Sequence, residues 1–226
     1  MLIADVFTTI RSRSSIRSFE QRPVDRPTLL AILEDAHWAP SASNQQPWHF
    51  IVVTGKPLLS LCDALQQARI QKQHAYDPSR GNTIPPVFVE RTKKLFRELR
   101  PFLSTISDGQ RSFIESGSFR FYGAPVVIFI ALHRALPSSK LLDIGMAAQN
   151  IMLSAHARGI GTCAIALTLL YKDVIHAHLE LPSELDVVLS LALGYPDTTN
   201  PINTFRSSRE DITTMITWCG FDSADL

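Results

Sequence analysis

The run Ala124-Pro125-Val126-Val127-Ile128-Phe129-Ile130-Ala131 contains no polar side chain. A strand with one wet face alternates apolar and polar residues, so an unbroken apolar run bounded by turn signals marks a strand buried on both faces. The chain must therefore bring helices to both sides of a sheet. With 226 residues, 45% of them hydrophobic and 19% charged, it has the material to do so. Three further short runs read as strands: Trp48–Thr54, rich in β-branched and aromatic residues, then Thr162–Leu167 and Val187–Leu193.

Helical spacing fills the intervals. Residues 3–12 read as a short first helix. Thr28 is placed to cap a second, with Leu29, Ile32, Leu33 and Ala36 on one face and Pro40 as its stop. Residues 57–72 continue the pattern. Residues 74–86 read as a loop. Residues 87–100 and 109–120 read as two polar amphipathic helices separated by a break at 101–108. Together, residues 74–120 form a helical excursion that covers something rather than joining the central core. Ser138 or Ser139 is placed to cap a long helix through Arg158, whose apolar residues wrap nearly all round, as in a central buried helix. Gly159 suits the left-handed position after it. Helices near 171–180 and 209–218 complete an α/β or α+β arrangement. No linker divides it, so residues 1–226 read as one domain.

Composition narrows the function. The 22 Lys and Arg balance 21 Asp and Glu, which argues against a strongly basic nucleic-acid binder. Apolar runs such as Ala124–Leu132 fall well short of the ~20 residues of a membrane span, and the N-terminal segment lacks the order of a secretory signal. Cys62, Cys163 and Cys219 are isolated and odd in number, which fits a reducing compartment. The expectation is a soluble cytoplasmic protein with neither a nucleic-acid nor a membrane partner. The charge is unevenly placed, however. Five arginines (Arg11, Arg13, Arg17, Arg22, Arg26) fall within residues 11–26.

Several motifs dissolve on inspection. Gly159–Ala164 fits a relaxed G-x-G-x-x-A pattern, but the order is helix then strand, opposite to a dinucleotide fingerprint. His176 and His178 are two apart on a helix and do not share a face, so no metal site is expected. His49 reads as a hydrogen-bonded interior histidine, and Cys163 as a small core hydrophobe. The segment Arg13-Ser14-Ser15-Ile16-Arg17 is different. Planar guanidinium forks and small hydroxyls suit a phosphate and a polyol chain, although the segment alone also fits a solvated basic turn. Arg206 and Arg209 follow the last strand and could meet the same anion. Pro40–Pro47 is a loop of small and amide residues of the kind that approaches a planar ligand.

Taken together, these segments resemble the nitroreductase family of FMN-dependent oxidoreductases. Arg13-Ser14-Ser15-Ile16-Arg17-Ser18-Phe19 is similar to the family's opening. Ala39–Phe50 is similar to its A-P-S-x-x-N-x-Q-P-W-x-F loop. Asp143–Gly161 with the following strand, and Leu193–Asp197 through Asn203–Arg209, fit its later blocks. The resemblance implies an α+β fold with a mixed central sheet and a long central helix, built as an intertwined homodimer with FMN at the interface. By position, it implies Arg13, Ser14 and Ser15 at the phosphate and ribityl chain, with Arg206 or Arg209 completing that site. It implies Arg17 beside the flavin N1/O2 edge as an electrostatic tuner, with no catalytic acid or base. Pro40, Ser41, Ala42, Ser43 and Asn44 would arrive from the partner subunit. Ala164, Ile165, Ala166 and Leu167 would line the ring, with a backbone N–H near Ala166 facing N5. Many relatives carry Gly or Glu-Gly at Ala166-Leu167, so the pocket should be more apolar here.

The implied activity is NAD(P)H-driven, ping-pong hydride transfer through FMN to nitroaromatic or other electron-poor small-molecule acceptors. The longer 74–120 segment resembles the nitrobenzoate-reductase subgroup, with Gln71 as a candidate flavin contact. A specialised flavin reductase, a dehydrogenase, a dehalogenase or a non-turnover flavin binder stands as the alternative on the same fold.

Overall fold

The computed structural model describes residues 5–72, 81, 83–103 and 109–220. In chain order the helices and strands are α1 (Val6–Ser12), α2 (Arg26–His37), β1 (Trp48–Thr54), α3 (Gly55–Gln71), α4 (Pro86–Leu99), α5 (Gly109–Phe119), β2 (Val126–His133), α6 (Leu141–Ala157), β3 (Gly161–Ile165), α7 (Lys172–His178) and β4 (Leu185–Gly194). Residues 3–4 of the expected first helix, 74–80 and 82 of the expected loop, and 104–108 of the expected break lie outside the described residues.

The strands form one sheet in the order β1-β2-β4-β3. The apolar run becomes β2, a central strand buried along its length except at its last residue. Because side chains alternate across a strand, β2 feeds two cores. Val127, Phe129 and Ala131 pack with Leu58, Leu61 and Leu65 of α3 and Ile175 of α7. Val126, Ile128, Ile130 and Leu132 pack with Leu29, Ile32 and Ala36 of α2 and Ile144, Ala147 and Ile151 of α6. Each fully buried aliphatic side chain contributes roughly 1.5–3 kcal/mol, so this one strand holds both layers together. A third, smaller cluster (Leu99, Leu103, Ile202, Phe205) ties the end of α4 to the segment after β4.

The fold is α+β, with each strand antiparallel to its neighbours. The resemblance implied a mixed sheet; the parallel component is confined to one isolated bridge, Ser15 with Thr162. Other expectations shift for local reasons. Asp25, not Thr28, caps α2, because its carboxylate accepts both the Thr28 N–H and the Thr28 hydroxyl. That helix stops at His37, ahead of Pro40. No serine side chain caps α6, and Ser138–Lys140 form a 3₁₀ turn leading into it. Gly159, at φ 73°, closes α6: its N–H donates to His156 and the Ile160 N–H to Ala155.

Helix α6 is not enclosed all round. One stripe is buried, whereas Leu142 is 74% and Met146 38% exposed. His49 is exposed rather than interior, since β1 is an edge strand. The expected helix at 209–218 is absent. A 3₁₀ turn, Ile212–Met215, interrupts extended chain, and residues 208–220 are all exposed. Ile212, Thr213, Thr214, Ile216 and Thr217 are β-branched, which lowers helix propensity, and the segment lacks a buried face to compensate. No helix among the described residues is long and apolar enough to cross a membrane.

Candidate functional site

The N-terminal arm is laid against the sheet by its own backbone. Asp5 caps α1 through the Phe7 and Thr8 N–H groups. Arg13 then turns into extended conformation. Ile16 N–H donates to the Thr162 carbonyl at 2.9 Å, joining the arm to the edge of β3. The approach is so close that a Cβ on Gly161 would lie 2.5 Å from Ile16 Cγ1.

A single amide side chain then joins the arm to the far end of the sequence. Asn203, 8% exposed, accepts the Arg17 N–H through Oδ1 at 2.8 Å. Its Nδ2 donates to the carbonyls of Ser18 (2.7 Å) and Asp197 (2.9 Å). Ser18 Oγ also donates to Asp197 Oδ2 and accepts from Asn200 Nδ2. Buried backbone groups need partners, and here Asn203 supplies three of them.

This junction opens a cavity of about 600 Å³ lined by five arginines (Arg11, Arg13, Arg17, Arg206, Arg209) and three serines (Ser14, Ser15, Ser207). Ile10, Leu95 of α4 and Phe205 supply its apolar wall. No carboxylate lines it, and none of the five arginines is in an ion pair among the described residues. Burial lowers the Arg13 pKa, and the neighbouring Arg209 and Arg206 charges lower it further. Such crowding of like charge is relieved by an anion. Arg206 and Arg209 are oriented by their own segment: Arg206 Nη1 donates to the carbonyls of Asn203 and Phe205, and Arg209 Nη1 to those of Ser207 and Ser208. That segment is fastened to α4, where Glu98 accepts the Ser208 hydroxyl at 2.7 Å and Lys94 meets Glu210 at 3.2 Å.

Beneath the arginines lie three groups that local sequence patterns did not flag as site residues. Cys163 is buried, as expected of a core hydrophobe; burial pushes its thiol pKa up, against the pull of Arg17, Ser15 and Arg13. Burial raises the Tyr122 phenol pKa, and Cys163 adds to this against the pull of Ser118 and Arg17. His156 shares a 2.8 Å hydrogen bond with Ser12, and burial, then Arg13 and Arg206, lowers its pKa.

Of the sequence-derived candidates, Arg13, Ser14, Ser15, Arg17, Arg206 and Arg209 are brought together. Arg11, which had no assigned role, joins them from the last turn of α1. Arg22 instead lies over the Tyr195 ring at 3.9 Å. Pro40, Ser41, Ala42, Ser43 and Asn44 do not line this cavity. They form a left-handed loop (Ser43 φ 56°, Asn44 φ 54°), braced by the Gln46 N–H on Ser41 Oγ and by Lys140 Nζ on the Ala42 carbonyl. Left-handed non-glycine residues cost about 1–3 kcal/mol each and cluster at functional sites. Ala164–Leu167 follow Thr162, the β3 residue that pairs with the arm. Ala164 and Ala166 are exposed and Leu167 is half-buried, but the Ile165 side chain points into the core. Ile165 would therefore meet a ligand on this side through its backbone. Gln71 is exposed at the end of α3.

An antiparallel sheet covered by helices on both faces, with a strongly cationic arginine-serine cavity where residues 11–17 meet 205–209, defines the protein's α+β architecture. The profile of the Nitroreductase family matches residues 10–195, and the chain belongs to that family. It is 32% identical over 219 residues to a 4-nitrobenzoate reductase of Nocardioides sp. (strain LMS-CY), covering 92% of this chain and 87% of that protein. It is 30% identical over 227 residues to a 4-nitrobenzoate reductase of Pseudomonas putida, covering 98% and 99%. Among solved structures, it superposes with a TM-score of 0.85 and 29% identity on the FMN-dependent nitroreductase NfnB from Mycobacterium smegmatis in complex with NADPH, over 94% of this chain and 97% of that one.

Proposed function

We propose that the chain is an FMN-dependent oxidoreductase that uses NAD(P)H to reduce nitroaromatic or other electron-poor acceptors. The observation that carries this is the cavity of five arginines and three serines, with no carboxylate lining it among the described residues. Its donors fit a phosphate monoester and a hydroxylated chain, the two polar parts of FMN. Arg13, Ser14, Ser15, Arg206 and Arg209 would hold them, and Arg17 would place a fixed positive charge beside the flavin ring. The chemistry supplied by the bound cofactor is two-electron exchange between NAD(P)H and the acceptor. Protein side chains bind, orient and tune; Arg17 favours the more negatively charged reduced state by a preorganised electrostatic effect.

The proposed working unit is a homodimer. Val6, Phe7 and Ile10 on α1, Trp38, and Leu142 and Met146 on α6 are exposed, as are Ile212, Met215, Ile216 and Trp218. Apolar surface on this scale favours an interface. A second chain would cover it and bring its own 40–44 loop to the ring end of the cavity. Residues 74–120 would cover the site, with Leu95 as the part of α4 that lines it. The three unpaired cysteines fit a cytoplasmic setting.

The test uses purified protein mixed with FMN. The expected result is retained flavin absorbance, bleaching by NADH or NADPH without oxygen, and recovery on adding 4-nitrobenzoate. Absence of flavin binding overturns the reading, and so does bound flavin that neither nicotinamide bleaches.

A further inference from the structure

We propose that Ser190 is a positioning residue for the flavin: with Thr168 behind it, its buried hydroxyl turns the Ile165–Ala166 peptide so that the Ala166 N–H is presented to the ring. This rests on the FMN reading above.

Of the buried polar residues described, only Thr168 and Ser190 are fully enclosed, at 0% exposure. A hydroxyl shut away from water costs stability unless it is bonded. These two bond to each other and to one backbone group. Ser190 Oγ donates to the Ile165 carbonyl at 2.7 Å. A serine has one proton to give, so in the 2.9 Å contact between the two side chains Thr168 donates and Ser190 accepts. The relay runs from Thr168 through Ser190 to Ile165. Apolar residues of the same shape would pack here without burying any hydroxyl, so the pair asks for another account.

Their place in the fold supplies it. Ile165 ends β3, and the chain leaves the sheet at Ala166 (φ −97°, ψ −25°) for a 3₁₀ turn, Leu167–Tyr171. Carbonyls alternate in direction along a strand. That of Thr162 faces the arm, where it accepts from Ile16. That of Ile165, three residues on, faces β4 and is held there by Ser190. The described peptides are all trans, and in a trans peptide the N–H points opposite to the carbonyl. The Ala166 N–H therefore points off the edge of β3 that carries the arm, whose Ser15 and Arg17 line the arginine cavity. Ala166 is exposed, and its N–H has no acceptor among the described residues. A carbonyl that accepts a hydrogen bond polarises the N–H of its own peptide, and successive bonds strengthen one another. The relay thus aims and sharpens one donor on the side where Arg17 would meet the ring. A donor held against the ring's N5 draws electron density from the atom that receives hydride.

The experiment loads wild type, Ser190→Ala and Thr168→Val with FMN carrying heavy nitrogen at N5 and records the N5 resonance by NMR. A hydrogen bond to N5 moves that resonance upfield. Ser190→Ala should return it downfield. Thr168→Val keeps the Ser190 bond but removes its support, and should move the resonance the same way by less. Outright loss of a preorganised donor slows a reaction roughly 10²–10³-fold; here the N–H remains and loses its aim, so bleaching by NADPH without oxygen should slow about tenfold in Ser190→Ala. FMN affinity should stay within about twofold, because the phosphate contacts are separate. Thr168→Val carries the test if Ser190→Ala does not fold or take up FMN. An N5 resonance unchanged in the variants overturns the proposal alone, even where stability falls, since a purely structural role predicts that result. Wild-type protein that takes up no FMN overturns the cofactor reading and this proposal with it.

Discussion

The two halves of the candidate flavin site are built in opposite ways. The phosphate half is assembled within one chain: Arg13, Ser14 and Ser15 meet Arg206 and Arg209 around a single cavity, with backbone groups of both segments joined through Asn203. The ring half is not. The 40–44 loop is shaped and braced as carefully, with left-handed residues held by Ser41 and Lys140, yet lines a different part of the surface. On the proposed reading, the contrast teaches that one chain would anchor the anion and a second copy would complete the surface on which redox chemistry occurs.

The sharpest way to break the phosphate half is Asn203→Ala. It leaves the Arg17 N–H and the carbonyls of Ser18 and Asp197 without their partner. We expect a loss of about 2–4 kcal/mol in urea unfolding together with loss of flavin uptake; a loss under about 0.5 kcal/mol would show that water replaces the amide. Next, Arg13→Ala should weaken FMN binding about tenfold to hundredfold, as expected for one charge-assisted contact. Riboflavin, which lacks the phosphate, should bind the variant and the wild type alike. Equal losses for both ligands would move Arg13 away from the phosphate.

The division between halves is tested by mixing two variants after unfolding and refolding together, at an FMN concentration that leaves each alone without activity. One carries Arg13→Ala and the other Ser43→Val, a β-branched side chain at a φ of 56°. If the loop serves the opposite subunit, mixed dimers contain one intact site, and about a quarter of all sites should recover activity. No recovery would place both halves in one chain. The smallest effect concerns His156, whose lowered pKa means that the unfolded chain binds its proton more readily than the folded one. Stability should therefore fall as pH drops through the ordinary histidine range. Unfolding free energies of His156→Gln should show a weaker pH slope than wild type, and parallel curves would refute the assignment.

The central fold was legible because each layer announces itself locally. The apolar run of β2 required cover on both faces; α3 supplies it on one, and α2 and α6, with their 3.6-residue spacing, on the other. The C-terminal segment was misread because helical spacing there is not matched by propensity or by a buried face. In the site, Arg13, Ser14, Ser15 and Arg17 were legible because they are contiguous. Asn203, Tyr122 and His156 were not, since nothing near them in sequence indicates what they face. Arg11 could have been found from its place two residues before Arg13, in the last turn of α1. The exposed stripe of α6 was hidden for a different reason: apolar residues bound for a partner carry the same spacing as those bound for the chain's own core.

The hydrogen bond from Arg17 to Asn203 spans 186 residues of sequence. During synthesis the arm must wait until residue 203 has left the ribosome before its partner exists. Contacts that close so long a loop form late, after the sheet has reduced the distance they must bridge. On the proposed reading, cofactor capture waits for this clasp: a nascent chain stopped before residue 203 lacks it and should emerge colourless, and yellow colour would report that the two segments have found each other.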